Sequence, residues 1–136
     1  MVEWLVAGHG HAMLTDPAMC VVDDDPAVLK SLGRLLGAEG FAVLTFGNPV
    51  EFIRHATDHP VRLVVVDFVM PGLSGLQVQE SLRAISPETR LIMISATTDP
   101  EIDARFLDGG AIAIFHKPFD EDEFLDAVRR ALAAAA

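Results

Sequence analysis

The chain has few of the groups that form disulfides, cross membranes or bind nucleic acids. Its one cysteine, Cys20, cannot form an internal disulfide, and its apolar surroundings predict a small buried hydrophobe. No apolar run reaches the roughly 20 residues of a membrane-spanning helix. The chain has only 10 Lys and Arg but 20 Asp and Glu. The resulting net charge of -10 disfavours binding to nucleic acid and to anionic lipid. We therefore expect a cytoplasmic protein that binds neither nucleic acid nor a membrane directly.

The remaining composition is that of a globular protein with a large core. Of 136 residues, 51% are hydrophobic and the mean hydropathy is +0.35, which excludes intrinsic disorder. Residues 18–136 are predicted to form one domain. Residues 1–17 read as an N-terminal extension: a cloning remnant, a flexible arm or a short docking segment. The apolar run inside that extension is too short for a signal peptide and lacks a preceding positive charge.

Short apolar runs alternate with helical patterns from residue 18 onward. Strands are predicted at 19–22, 41–46, 63–66, 91–94 and 111–115. Each is followed by a helix whose start is marked by a capping residue, often with proline next to it: Asp25-Pro26, Asn48-Pro49, Ser74, Asp99-Pro100 and Asp120. Five such units predict an α/β, flavodoxin-like, doubly wound sheet of five parallel strands, with strand order 2-1-3-4-5 and helices on both faces.

Polar residues follow four of the predicted strands, and all would meet at the carboxyl edge of the sheet. They are Asp23 and Asp24, Asp67, Ser95 and Lys117. Three adjacent carboxylates repel one another unless a cation lies among them, and Mg2+ favours such oxygen ligands. A carboxylate such as Asp67 could then attack phosphorus, with the ammonium and the hydroxyl stabilising the transferred charge.

These residues resemble the receiver domain of two-component response regulators over about residues 18–133. The resemblance lies in five motifs: Val21-Val22-Asp23-Asp24-Asp25-Pro26, Val66-Asp67, Met70-Pro71-Gly72 with Gly75, Ser95-Ala96, and Lys117-Pro118-Phe119. The run from Asp25 to Leu32, with Gly40-Phe41 and Phe46, is similar to the branch of nitrogen-fixation-type regulators. Members of that branch usually carry a helix-turn-helix output domain.

The resemblance implies a metal site and a phosphoacceptor. Asp67 would accept the phosphoryl group and contact Mg2+. Asp24 would be the more direct carboxylate ligand and Asp23 would act largely through metal-bound water. The backbone carbonyl of Val69 would complete the metal site, with its side chain at the mouth of the pocket.

The resemblance also assigns Ser95 and Lys117 to phosphoryl oxygens, with a cis Lys117-Pro118 bond. It implies a sensor histidine kinase or phosphotransfer domain as partner, and homodimerisation through the face of the fourth helix, fifth strand and fifth helix. Such a domain is not an enzyme, although it assists its own phosphorylation and dephosphorylation.

One position departs from the family pattern. Receiver domains often carry Tyr or Phe three residues before the lysine, where this chain has Ile114. The aromatic residue here is Phe115, which should face the opposite side of the strand. A switch that couples the hydroxyl residue to that aromatic ring is therefore not expected.

Other interpretations remain open from sequence. The chain could be a receiver-fold binding module that acts without phosphorylation, which Ile114 and the lack of an output segment in these residues favour. It could also be an aspartate-nucleophile phosphatase using Asp23 and Asp25, although Pro26-Ala27 lacks the residues expected after that motif. Asp25 is instead assigned as a helix cap.

Five further side chains have structural interpretations. His55 is predicted to lie with His59 on a solvated helix end, and Phe106 and Leu107 to be core residues. His116 is interpreted as a rim residue rather than a ligand.

Overall fold

A computed structural model describes residues 19–134 of the chain. Five strands alternate with five helices. In chain order they are β1 (Met19–Val22), α1 (Pro26–Ala38), β2 (Val43–Phe46), α2 (Pro49–Asp58), β3 (Leu63–Asp67), α3 (Gly75–Ile85), β4 (Arg90–Ser95), α4 (Pro100–Asp108), β5 (Ala113–His116) and α5 (Glu121–Ala134). Among these residues, no helix is long and apolar enough to cross a membrane. The predicted extension, residues 1–17, lies outside the described residues.

The helices begin where the capping residues predict. Asp25 accepts a hydrogen bond from the Ala27 N–H at 2.9 Å, and Asp99 accepts one from the Glu101 N–H at the same distance. Proline occupies the first turn of α1, α2 and α4, where its missing N–H has no helical partner to lose. The assignment of Asp25 as a helix cap is therefore confirmed.

The five strands form one sheet in the predicted order, β2-β1-β3-β4-β5. All four strand pairs are parallel, and β1 lies between β2 and β3, with Val22 opposite Phe46 on one side and Val66 on the other. Because every strand runs the same way, all five carboxyl ends lie at one edge. The predicted flavodoxin-like fold is confirmed.

The core has two layers, one on each face of the sheet, because side chains alternate along each strand. Cys20, Val64 and Met93 face α2, α3 and α4, in a layer that includes Phe52 and Phe106. Met19, Val65 and Ile92 face α1 and α5, in a layer that includes Leu36 and Phe124. Cys20 is fully buried with a free thiol, as predicted.

Two predicted strands begin too early. Phe41 and Ala111 are apolar, but each closes the turn after a helix: the Phe41 N–H donates to Leu36 O, and the Ala111 N–H donates to Phe106 O. The ladders start two residues later in each case, at Val43 and Ala113. An apolar residue that packs in a helix-ending turn has the same sequence signature as a strand residue.

The prediction for His55 was wrong, and that for Leu107 was also wrong. His55 is 8% exposed, because it follows Phe52 by one turn on the inner side of α2 and its ring packs 5.3 Å from that of Phe46. Burial lowers the pKa of His55, with a further lowering by His59. Leu107 is 53% exposed, whereas Phe106 is fully buried as predicted.

Candidate phosphoacceptor site

Three carboxylates converge at the carboxyl edge of the sheet. Asp23 and Asp24 directly follow β1, Asp67 ends β3, and one oxygen from each lies within 4.8 Å of the others. Asp23 and Asp67 are 1% and 7% exposed, whereas Asp24 is exposed. The pairing of β1 with β3 produces this cluster, because it sets the two strand ends side by side.

Backbone groups fix the position of Asp23. Its N–H donates to Phe46 O at 3.1 Å, and its Oδ1 accepts from the Asp25 N–H at 2.9 Å. The Asp25 carboxylate is used in capping α1, and the cluster does not include it. The Asp23-x-Asp25 pair expected of a phosphatase therefore does not form a joint site.

Lys117 connects two of the carboxylates. Its Nζ lies 3.1 Å from Asp23 Oδ2 and 3.0 Å from Asp67 Oδ1. The Lys117 N–H donates to Ser95 O at 2.7 Å, which anchors the residue beside the end of β4. The Lys117–Pro118 peptide bond is cis, as the family resemblance implies. The ammonium thus neutralises part of the negative charge from the side of β5.

The ionisation of Asp67 and Lys117 reflects burial and mutual contact. Burial raises the pKa of Asp67, the hydrogen bond from Lys117 opposes that rise, and the charges of Asp23 and Asp24 add to it. Burial acts to lower the pKa of Lys117, but its bonds to Asp67 and Asp23 outweigh this and raise it. Asp67 is therefore harder to ionise than an ordinary aspartate, and Lys117 is harder to deprotonate than an ordinary lysine.

Ser95 ends β4 and is 1% exposed. Its Oγ accepts from the Thr97 N–H at 3.0 Å and lies 2.9 Å from Thr97 Oγ1. The hydroxyl is thus paired with the loop after β4, and the structure does not bond it to Asp67 or Lys117.

The donor set fits a hard divalent cation. It consists of carboxylate oxygens, which Mg2+ and Ca2+ prefer, and among these residues the structure has no sulfur or imidazole in the cluster. Three carboxylates and one ammonium leave two negative charges, which one divalent ion would balance.

Comparison with known proteins identifies the family. Residues 19–129 match the family described as the response regulator receiver domain. The chain belongs to this family.

Curated relatives agree with this assignment of the receiver domain. The chain is 33% identical over 128 residues to the response regulator protein TmoT of Ectopseudomonas mendocina, covering 94% of this chain and 58% of the relative. It is 38% identical over 119 residues to the transcriptional regulatory protein KdpE of Mycobacterium tuberculosis, covering 85% and 52%. The chain therefore spans about half the length of the curated relatives it matches.

Solved structures of receiver domains superimpose closely. A CheY-like receiver domain protein from Methanospirillum hungatei JF-1 has a TM-score of 0.81 at 25% identity, covering 86% of this chain and 94% of that one. The response regulator StyR has a TM-score of 0.78 at 37% identity, covering 86% and 59%. The fold is thus that of a receiver domain.

Two positions in the receiver domain match expectations about side-chain direction. Val69 is 62% exposed, so its side chain points to solvent. Ile114 packs on the α2–α4 face and Phe115 on the α1–α5 face, as strand alternation predicts. Phe115 instead joins Phe119 and Phe124, with ring centroids 5.1 to 5.6 Å apart.

Sequence reasoning missed two contacts near the site. His116 Nε2 lies 2.9 Å from Asp103 Oδ2, linking β5 to α4, and no sequence pattern indicated that pairing. Gly75 packs against the end of β3 so closely that a Cβ there would lie 2.8 Å from Asp67 O. The glycine that opens α3 after a capping serine was the available signal for this close approach.

Proposed function

We propose that this chain is the phosphoacceptor domain of a two-component phosphorelay, with Asp67 as the acceptor. The donor would be a sensor histidine kinase or a phosphotransfer domain. The observation that carries the proposal is the position of the Asp67 carboxylate, which is buried beside two further carboxylates and bonded to Lys117. Phosphorylation would then control a partner or an output through a conformational change.

The chain's own residues have distinct roles in this proposal. An Asp67 oxygen attacks phosphorus, and an oxygen–phosphorus bond forms as the phosphorus–nitrogen bond to the donor imidazole breaks. Lys117 pairs with the transferred group and neutralises part of its charge. Ser95 exchanges its bond to Thr97 for one to a phosphoryl oxygen. The same groups would assist the reverse step, hydrolysis of the acyl phosphate.

Asp23, Asp24, Asp67 and the Val69 carbonyl would hold Mg2+. When bound, the ion supplies charge neutralisation for phosphoryl transfer and for the crowded carboxylates. Support comes from the oxygen-only donor set and the raised pKa of Asp67, whose causes include burial and the neighbouring carboxylates.

Incubation with acetyl phosphate and Mg2+, followed by intact mass spectrometry, tests the proposal. We expect one added phosphoryl group in the wild type and none in Asp67→Asn. Asp25→Asn is the matched control, because Asp25 is a nearby acid that only caps α1 and Asn retains the cap. Wild-type protein without added phosphate, or equal labelling of Asp67→Asn, would refute it.

We further propose that the domain forms homodimers through the face of α4, β5 and α5. Leu107 supports this, because it is a large apolar side chain left 53% exposed on α4. Sedimentation with beryllofluoride should show a dimer that Leu107→Ser weakens. A monomer at all concentrations would refute it.

We also propose the boundaries of the domain, its cellular compartment and its branch within the receiver family. Residues 18–136 would form the receiver domain and residues 1–17 an extension to it, as supported by a family match that begins at residue 19. The free thiol of Cys20 suits a reducing cytoplasm. The motif from Asp25 to Leu32 supports the nitrogen-fixation-type branch, which a phylogenetic tree of receiver sequences would test. Phosphorylation of a chain lacking residues 1–17 should match that of the full chain.

A further inference from the structure

Phe68 directly follows the acceptor Asp67, and its backbone joins two elements. Its N–H donates to Ile94 O in β4 at 3.0 Å, and its carbonyl accepts from the Gly75 N–H at the start of α3 at 2.8 Å. The Phe68 backbone is therefore tied to both β4 and α3, and a shift of the backbone at Phe68 would be passed to its ring.

That ring contacts α4 at Phe106. Within α4, all of which the structure describes, Phe106 is the fully buried side chain. Its ring packs edge-to-face on Phe68, with centroids 5.8 Å apart and an interplanar angle of 84°. Aromatic pairs in this geometry are stabilised by the relative orientation of their rings as well as by the area they bury. A movement of one ring therefore changes the packing of the other.

The surroundings of the Phe68–Phe106 pair are tightly packed. A Cβ at Gly75 would lie 3.1 Å from Phe106 Cζ and 3.1 Å from Phe68 Cα. The Phe106 carbonyl accepts from Gln79 Nε2 at 2.8 Å, and Gln79 is itself 6% exposed. Phe106 is thus held to α3 by its backbone and to the acceptor loop by its ring.

This chain has Ile114 at the position, three residues before the lysine, where receiver domains often carry an aromatic residue. Ile114 lies on the same face of the sheet as Phe106 and Phe68, where it contributes only aliphatic contact. The ring of Phe115 faces the other layer, among Phe119 and Phe124. On the side of the sheet that contacts α4, the aromatic contact with the acceptor loop is the Phe68–Phe106 pair.

We propose that Phe106 is the positioning residue through which α4 responds to the state of Asp67, by way of its ring contact with Phe68. This inference rests on the proposed function of Asp67. A phosphoryl group on Asp67 shifts the loop that carries Phe68, and the packed rings transmit that shift to α4.

The test compares Phe106→Leu with Phe52→Leu. Phe52 is also fully buried, lies in the same layer and packs edge-to-face on another ring, that of Phe46 at 5.7 Å, but it is on α2. Amide NMR spectra are recorded with and without beryllofluoride and Mg2+, and phosphoryl uptake is followed separately by mass spectrometry. The wild type and Phe52→Leu should show α4 amide shifts on activation. In Phe106→Leu these shifts should fall by more than half, while phosphoryl uptake at Asp67 persists.

Each remaining outcome counts against the inference. Full α4 shifts in Phe106→Leu, or an equal loss in Phe52→Leu, would overturn the coupling while leaving the phosphoacceptor role intact. Absence of phosphoryl uptake in the wild type would overturn the proposed function, and the coupling with it. If Phe106→Leu does not fold, Phe68→Leu breaks the same contact from its partly exposed side and should give the same loss.

Discussion

The interior of the sheet and its carboxyl edge use the same strands but bury opposite kinds of side chain. In β3, Leu63 to Val66 are apolar and fully buried, and the next residue, Asp67, is a carboxylate that is only 7% exposed. In β1, fully buried Val22 is followed by Asp23, 1% exposed. The interior residues gain stability from leaving water, whereas burial raises the pKa of Asp67 and disfavours its charged form. The edge thus keeps a costly arrangement that the proposed chemistry needs.

The interior should lose the most stability on truncation. Leu36→Ala removes a fully buried side chain of α1 and should lower the free energy of unfolding by about 2–5 kcal/mol. Leu107→Ala makes the same chemical change at a site that is 53% exposed, and should cost less than about 1 kcal/mol. Urea denaturation measures both. Equal losses would mean that the two layers do not carry the stability assigned to them.

The edge should respond in the opposite direction. Without divalent metal at neutral pH, Asp67→Asn should raise the free energy of unfolding by on the order of 1 kcal/mol, because it removes a buried charge. The same change should remove most of the stabilisation by Mg2+, which in the wild type would reach about 2.7 kcal/mol at a hundredfold excess over Kd. Thermal melts with and without Mg2+ measure both effects, and Asp25→Asn should show neither. A destabilised, Mg2+-responsive Asp67→Asn would contradict this view of the edge.

Substitutions at two glycines extend the comparison of the edge with the rest of the molecule. Gly75→Ala would force a Cβ to 2.8 Å from Asp67 O and should cost about 1–3 kcal/mol. Gly37→Ala, in the exposed part of α1 with nothing within 4 Å of its Cβ, should instead gain about 0.5–1 kcal/mol. Opposite signs in chemical denaturation are expected. A neutral Gly75→Ala would show that β3 and α3 can separate at little cost.

The buried thiol of Cys20 allows the burial of the interior to be tested through the pH dependence of stability. Burial raises the pKa of Cys20 to about 12, against about 8.5 in an unfolded chain. The unfolded chain therefore loses its proton first, and stability falls as pH rises from about 8.5 toward 12, by up to about 1.4 kcal/mol per pH unit. The chain has no tyrosine, so few other groups titrate in this range.

Cys20→Ala supplies the control for that test. It should be less stable than the wild type at neutral pH but should show little decline between about pH 8.5 and 10. Denaturation curves across this range measure the slope. An equal slope in both proteins would mean that the thiol is accessible to solvent.

The sequence predicted the fold well because the relevant signals are local. Asp25-Pro26 and Asp99-Pro100 fix helix starts whatever packs around them, and the apolar run of β3 requires cover on both faces. Errors occurred where burial depends on tertiary contact. His55 is buried because Phe46 lies beneath it, and Leu107 is exposed because α4 turns Phe106 inward.

The residues of the site could be predicted from the sequence, but the contacts between their side chains could not. The strand ends gave the acidic residues and Lys117, since parallel strands must end at one edge. The bridge from Lys117 to both Asp23 and Asp67 depends on side-chain reach across three strands. The pairing of Ser95 with Thr97 and the packing of Phe106 on Phe68 likewise depend on loop and helix placement that spacing does not encode.

The most direct test of the central claim locates the phosphoryl group on the chain. After reaction with acetyl phosphate and Mg2+, borohydride reduces an acyl phosphate to an alcohol, so a phosphorylated aspartate becomes homoserine. Peptide mass spectrometry should then find homoserine at position 67 and unchanged aspartate at positions 23 and 24. Homoserine at Asp23 or Asp24, or at none of the three, would contradict the assignment of Asp67 as the acceptor.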